Sequence, residues 1–411
     1  MKLSVIICVY NTDEAYFEKC LESLTLNTLP RDEYEICVVD DGSTLDYSHL
    51  VQKYNLKYKK TENRGILRAR LEGVAMAEGE YLAFCDSDDT VSVNFYAPML
   101  DRAEKTGADI VFNDWAFHTD RVRYVCTLDE TVSRNLDFGG EDVLRAFLGV
   151  RGRQHSYFVL WNKIYKKEVL EYSRSECLKY IEEGERYNYS EDALINFFAF
   201  SYSKSMSNVH TGYYFYRIHT GQTVNVISHQ RLESHIKYMS RTLEIMRNNV
   251  NNKLHSEEML ANVNAWAALM SRTHYTYAKS LGYSDLFELI KSSYVVGELK
   301  KSTRRDGSVY SRALVLPDNF ADIDRELIAV IRLSGQRSVE PVGLSDYSKA
   351  TLDFAIAKGK SIVYKEGAGI QISRPRTSII KRILHNYYVY NLGIVLFPKG
   401  SKIRAFLKKM L

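Results

Sequence analysis

Three acidic groupings in this chain could do chemistry: Asp40-Asp41-Gly42-Ser43, Asp86-Ser87-Asp88-Asp89 and Ser190-Glu191-Asp192. Carboxylates alternating along a short turn can converge their oxygens on one divalent cation. A hard cation so held neutralises the diphosphate of a bound nucleotide. Asp-Gly-Ser is equally ordinary turn chemistry, and an acidic strand end can serve as a helix N-cap. Ser190, followed by two acids and the apolar run ALINFFAF, also reads as a capped helix start. On residue type alone both uses stay open for each grouping.

The elements around these acids decide where they point. LSVIICVY (Leu3 to Tyr10) is a continuous apolar run suited to a strand covered on both faces, and Phe17, Cys20, Leu21 and Leu24 follow at helical spacing. The alternation repeats with EICVVDDGS, a helix from about Gly65 to Ala77, EYLAFCDSDD and ADIVFNDWAF. Two of the acidic groupings therefore fall at the carboxyl ends of strands, where open α/β sheets collect ligands. After Asp120 the alternation weakens. From about Gln230 the chain reads as helical, with Met259, Leu260, Val263, Trp266, Ala267 and Met270 on one face. Between Ser308 and Gly369 the runs ALVLP and LIAVIRL leave the assignment open.

At 411 residues the chain is longer than one compact core usually grows, so two domains, or one domain with a substantial appendage, are expected. A net charge of +4, spread among carboxylates, gives no footprint for nucleic acid, and no such partner is expected. The six cysteines form no C-x-x-C pair and read as reduced core thiols of a cytosolic protein. The opening MKLSVIICVYN passes into polar residues without a small-residue cleavage site and fits a first strand better than a signal peptide. No stretch approaches the roughly eighteen apolar residues of a spanning helix.

The stretches SVIICVYN, VVDDGS, ENRGILRARLEG, GEYLAFCDSDD, WNKIY, Glu191-Asp192 and YRIHTGQT together resemble the family 2 inverting glycosyltransferases of the GT-A fold, over roughly the first 220 residues. The resemblance implies an α/β fold: a GT-A, Rossmann-like, mostly parallel sheet flanked by helices, with a largely helical carboxyl-terminal region. The expected divisions are a catalytic domain over 1–225, a mainly helical domain over 226–375 and a basic amphipathic tail over 376–411. The implied activity is transfer of a sugar, a hexose by type, from a nucleotide diphosphate donor, UDP above all, to a saccharide or lipid-linked acceptor in cell-surface polysaccharide or glycoconjugate synthesis.

Site roles follow from the resemblance residue by residue. Tyr10 would flank a pyrimidine whose ring N–H donates to Asp41, while Asp40 would be structural. Asn63, Gly65 and Arg70 match Asn-x-Gly-x4-Arg, the glycine allowing close approach and the arginine reaching the diphosphate or bracing the acidic turn. The family usually carries Asn after that arginine, and here it is Leu71. Asp86 would face the ribose or donor sugar, Asp88 with Asp86 would ligate Mn²⁺ or Mg²⁺, and Asp89 would be a third carboxylate. Asp192 matches the base that takes the acceptor proton, with Glu191 orienting it or touching acceptor. Trp161, Asn162 and Lys163 would lie beside the acceptor. Arg217 and His219, in the run Tyr216 to Gln222, would help stabilise the leaving charge.

From Arg376 to Leu411 the tail carries basic residues with no acid, interspersed with Ile, Leu, Phe and Tyr. That composition suits an interfacial segment on anionic lipid, at the inner face of the cell membrane. A packed helix with a solvated basic face, or a homo-oligomer contact, is the alternative. The competing activities are a nucleotidyltransferase, which should show a Gly-rich, cation-bearing loop where this chain has Asn11-Thr12-Asp13, and a sugar-nucleotide-binding module without turnover.

Overall fold

The computed structural model describes residues 1–118, 122–127, 137–148, 155–217, 228–251 and 253–294, with short strands at 327–332, 338–339, 362–365 and 369–372. The chain divides into two compact units, Met1–Ala116 with Arg134–Arg217, and Phe117–Ser133 with Ile218–Leu411. The first unit thus closes at Arg217, short of residue 225.

Up to Arg217 the order is β1 (Leu3–Val9), α1 (Glu14–Thr25), β2 (Tyr34–Asp40), α2 (Ser48–Lys53), β3 (Lys57–Lys60), α3 (Ile66–Met76), β4 (Tyr81–Asp86), β5 (Thr90–Val91), α4 (Ala97–Thr106), β6 (Ile110–His118), β7 (Val122–Thr127), β8 (Phe138–Gly139), α5 (Asp142–Phe147), α6 (His155–Phe158), β9 (Lys163–Lys166), α7 (Lys167–Leu178), α8 (Glu191–Tyr202) and β10 (Ser205–Arg217). In the first unit β3, β2, β1 and β4 lie side by side and parallel. The parallel expectation holds for that half of the sheet. Beyond it β9 runs antiparallel between β4 and β6, and β10 pairs antiparallel with β5 and β8.

The continuous apolar run of β1 is explained by its place, since Leu3, Val5, Ile6, Ile7 and Val9 are all buried in the middle of the parallel strands. Each such side chain contributes about 1.5–3 kcal/mol relative to exposure. Helix α1 buries Phe17, Cys20, Leu21 and Leu24, the face its spacing predicts, and Asp13 caps it by accepting from the amides of Ala15 and Tyr16. Helix α3 lies close enough to β1 that a Cβ on Gly73 would fall 2.3 Å from Ile6 Cγ2. Leu71, the departure from the family pattern, is buried in this layer. The register sets Val9 opposite Asp40 and Cys8 opposite Asp86, so the carboxyl ends of β2 and β4 flank the end of β1.

In the second unit α9 (His229–Val250), α10 (Ser256–Leu281) and α11 (Leu286–Ser293) pack together. Met259, Val263, Trp266 and Ala267 are buried along α10, as the spacing predicts, while Leu260 and Met270 are half-buried. The described residues after 294 are short strands. They are β11 (Leu327–Arg332), parallel to β7, with β12 (Ser338–Val339), β13 (Ile362–Lys365) and β14 (Gly369–Ile372) in an antiparallel group. The β-branched content of LIAVIR and IVYK accounts for this. Among the described residues no helix is long and apolar enough to cross a membrane. The tail from Arg376 lies outside the described residues.

Candidate active site

At the end of β1, Tyr10 is 54% exposed, and the next residue, Asn11, has a left-handed backbone (φ 49°). Its side-chain oxygen accepts from the Thr44 amide at 2.8 Å, and its own amide donates to Ser43 Oγ at 2.9 Å. These bonds tie the loop after β1 to the turn after β2. Asp40 is buried and accepts from the Ser43 amide and the Tyr58 hydroxyl, both at 2.7 Å, which makes it the structural member of its pair.

Asp41 is buried, with one oxygen accepting from the Arg64 amide at 2.8 Å and the other from the Gly65 amide at 2.9 Å. Burial pushes its carboxyl above the usual range although those amides pull the other way. Both oxygens thus already carry backbone partners that the sequence does not announce. Gly42 has φ +81°, and a Cβ there would fall 2.6 Å from the Asn63 amide nitrogen, so Asn63 presses its backbone on this turn. Gly65, at φ +89°, leaves room that the chain itself fills: its Cβ would meet Asn188 Oδ1 at 2.5 Å. Asn188 Oδ1 also accepts from the Ile66 amide at 3.1 Å, at the start of α3.

Arg70, on α3, joins the remaining acids. Its guanidinium pairs with Asp86 at 3.2 Å, with Glu191 at 2.8 Å and with Asp192, while only 7% of its side chain is exposed. Asp86 ends β4, and Glu191 and Asp192 begin α8, so one cation spans two segments more than 100 residues apart. Burial raises the Asp86 carboxyl, Arg70 lowers it, and Asp88 raises it again. Ser190 does not cap α8: it adopts a left-handed backbone (φ 59°) and makes no side-chain capping bond. The first-turn acids are held by Arg70 instead.

The acidic turn is fixed from β10. Asp89 is buried and accepts from the Tyr214 hydroxyl and the Arg217 amide, each at 2.7 Å. Burial, then the charges of Asp88 and Asp86, hold its carboxyl well above the ordinary range. These inward bonds make Asp89 a structural acid in this arrangement rather than a third outward ligand. Arg217 is buried, donates from Nε to the Asp88 carbonyl at 2.7 Å and sets its guanidinium 4.5 Å from the centre of the Tyr16 ring. Asp88 is partly exposed. Among the described residues no three His, Cys, Asp or Glu side chains converge as a ready metal cluster.

The segment expected beside the acceptor points inward. Trp161 is 3% exposed and stacks on Tyr214 at 4.4 Å and on Tyr216 at 5.8 Å. Asn162 and Lys163 are wholly buried, and Lys163 Nζ donates to Asn162 Oδ1 at 2.7 Å and to the Val159 carbonyl. Burial drives the Lys163 amine well below the usual range. The side chains of these three face the core. His219 and Gln222 lie outside the described residues. Sequence reasoning missed Tyr214, Asn11 and Asn188. The four consecutive aromatics of GYYFYR do not reveal which of them faces the acidic turn.

Residues 4–169 match the model for Glycosyl transferase family 2. This region belongs to that family. The family's activity is glycosyl transfer, and the chain is a glycosyltransferase. A Bacillus subtilis protein described as a glycosyltransferase, EpsH, is 29% identical over 301 residues, which cover 72% of this chain and 82% of that one. The poly(ribitol-phosphate) beta-glucosyltransferase of Bacillus spizizenii is 40% identical over 98 residues, covering 22% of this chain and 15% of that protein. That match thus spans only a small part of the second relative. The crystal structure of S. aureus TarS 1-349 aligns over 77% of this chain and 100% of that one at 19% identity with a TM-score of 0.44.

Proposed function

We propose that this glycosyltransferase moves a sugar, a hexose by type, with inversion from a UDP-linked donor to a hydroxyl of a saccharide or lipid-linked acceptor, in the assembly of a cell-surface polysaccharide or glycoconjugate. The observation that supports it is the Arg70 cluster, which brings Asp86 of the β4 turn and Asp192 of α8 to one guanidinium. A donor-side acid and a base must stand on opposite sides of one reacting carbon, and a single cation between them sets that spacing.

In this reading Asp192 accepts the proton of the acceptor hydroxyl as its oxygen bonds to the anomeric carbon. The bond from that carbon to the diphosphate oxygen breaks, and its electron pair leaves with the nucleotide. Glu191 shares the Arg70 guanidinium, so Asp192 is oriented without being its sole partner. Asp88, with Asp86 beside it, would hold Mn²⁺ or Mg²⁺ through carboxylate oxygens, and the positive charge would favour departure of the diphosphate. The donor set fits such a hard ion: both groups are carboxylates on one turn, and with no third described ligand the donor oxygens and water would complete it. The exposed Tyr10 ring beside the Asp41 turn supports a pyrimidine base.

A panel of nucleotide sugars with Mn²⁺ or Mg²⁺, scored for hydrolysis and transfer, tests the reading. One UDP-sugar should be turned over, Asp88→Ala should abolish turnover, and Asp192→Asn should abolish transfer with UDP affinity nearly unchanged. Hydrolysis of no donor, or equal hydrolysis by Asp88→Ala, would refute it. The basic tail is proposed to rest on anionic lipid at the inner face of the membrane. Truncation before Arg376 should reduce partitioning onto anionic vesicles, and unchanged partitioning would exclude that role.

A further inference from the structure

We propose that Tyr214, braced by Trp161, is a positioning residue for the acidic turn, so that the Trp161 segment serves the donor side of the reaction. The inference rests on the donor-site reading of Asp86 and Asp88 given above.

The Tyr214 hydroxyl makes two bonds of opposite sense. It accepts from the Asp86 amide at 3.0 Å and donates to Asp89 Oδ2 at 2.7 Å. One oxygen thus ties the first residue of the turn to the last, and the two residues between them, Ser87 and Asp88, form its tip. The other Asp89 oxygen is held by the Arg217 amide at 2.7 Å, and Arg217 Nε holds the Asp88 carbonyl at 2.7 Å. Every one of these restraints comes from β10. Tyr214 itself is fully buried, so its ring must be aimed by packing. The Trp161 indole supplies that: it lies parallel to the Tyr214 ring at 14° and 4.4 Å, and Trp115 closes on it edge-on at 5.2 Å. Two flat rings in contact allow little rotation of the phenol, so the hydroxyl stays where both ends of the turn need it.

A carboxylate that must hold a cation and a diphosphate works only if its backbone is fixed beforehand. Asp86 and Asp89 stand with Asp88 on one short turn, whose ends separate unless they are bonded to one another. Tyr214 is the group that bonds both.

The test uses the full chain, UDP as the ligand and water as the acceptor. A residue that touches only an acceptor saccharide cannot alter donor hydrolysis by water, whereas a residue that sets the turn must. Tyr214→Phe removes one oxygen and keeps the ring. It should weaken UDP binding in the presence of MnCl₂, measured by calorimetry, by about tenfold, and slow hydrolysis of the UDP-sugar by about tenfold or more. Without MnCl₂ the difference in UDP affinity should shrink. Trp161→Leu should move both quantities in the same direction, and Trp161→Phe should move them less. Unchanged UDP affinity and hydrolysis in Tyr214→Phe would overturn the proposal. So would a lowered melting temperature with a wild-type hydrolysis rate in the folded protein, or a Trp161 variant that changes transfer to a saccharide and leaves hydrolysis alone. If Asp88→Ala itself leaves UDP affinity and hydrolysis unchanged, the donor-site reading fails, and that result is separate from the outcomes for Tyr214.

Discussion

Arg70 carries one positive charge into a pocket that presents three carboxylates, Asp86, Glu191 and Asp192. Removing the partner of buried charges costs more than the pair was worth, because the charges left behind remain desolvated. Arg70→Met keeps much of the stem and deletes the charge, leaving three acids facing one another. It should lower stability by about 3 kcal/mol, read as a fall in the urea midpoint, the figure being moderated because a third of the Asp86 side chain is exposed. Arg70→Lys should recover little, since one ammonium cannot reproduce a fork that reaches two elements. An unaltered midpoint in Arg70→Met would show that the cluster carries no such strain. At this scale the sequence was informative about residue type and poor about partners. Arg70 and the acids were legible as a set, whereas the amide partners of Asp41 and the Tyr214 hydroxyl depend on backbone atoms that residue identity does not reveal.

Among the elements, the contact of α3 with β1 fixes where Arg70 stands. Gly73 is the point of closest approach, with the position of its absent Cβ only 2.3 Å from Ile6 Cγ2, and Ile6 is wholly buried in the sheet and cannot retreat. Gly73→Ala would gain up to about 1 kcal/mol of helix propensity and lose about 1–3 kcal/mol to overpacking. The net expectation is a lower urea midpoint together with reduced turnover, since α3 carries Arg70 away from Asp192 as it moves off the sheet. Wild-type stability and turnover in this variant would contradict the packing argument. The periodicity of α1, α3, β1, β2 and β4 made these elements readable, because strands covered on both faces need unbroken apolar runs. The antiparallel insertion of β9 left no such trace: a short half-apolar run looks alike in either direction.

For the whole molecule, the buried histidines make the helical unit a source of acid sensitivity. In the helical unit His274 is buried, its Nδ1 lies 2.7 Å from the Tyr294 hydroxyl, and His235 stands 6.4 Å away ring to ring. Burial pushes His274 down to about 3, with His235 adding to it, and pushes His235 down to about 4, with Arg231 adding to it. An unfolded imidazole binds its proton near about pH 6.5. Below that value the unfolded chain takes up protons that the folded unit refuses, so stability falls as pH drops from about 6.5 toward about 3. The urea midpoint of this unit, followed by far-ultraviolet dichroism, should decline between pH 7.5 and pH 5, and His274→Gln should decline less steeply. Equal slopes in the two proteins would rule out this source of acid sensitivity.

The sequence by itself determined the chemistry available and the elements that carry it. Acids at strand ends, an apolar first strand and ordered short motifs are local properties of residue type and period. Only the tertiary structure decided which acids meet and which turn inward. Asp192 reaches Asp86 through Arg70, and Asp89 turns away to Tyr214. The reason is physical: these contacts join segments more than 100 residues apart, and only the packing of the sheet and its helices sets where their side chains and amides come together.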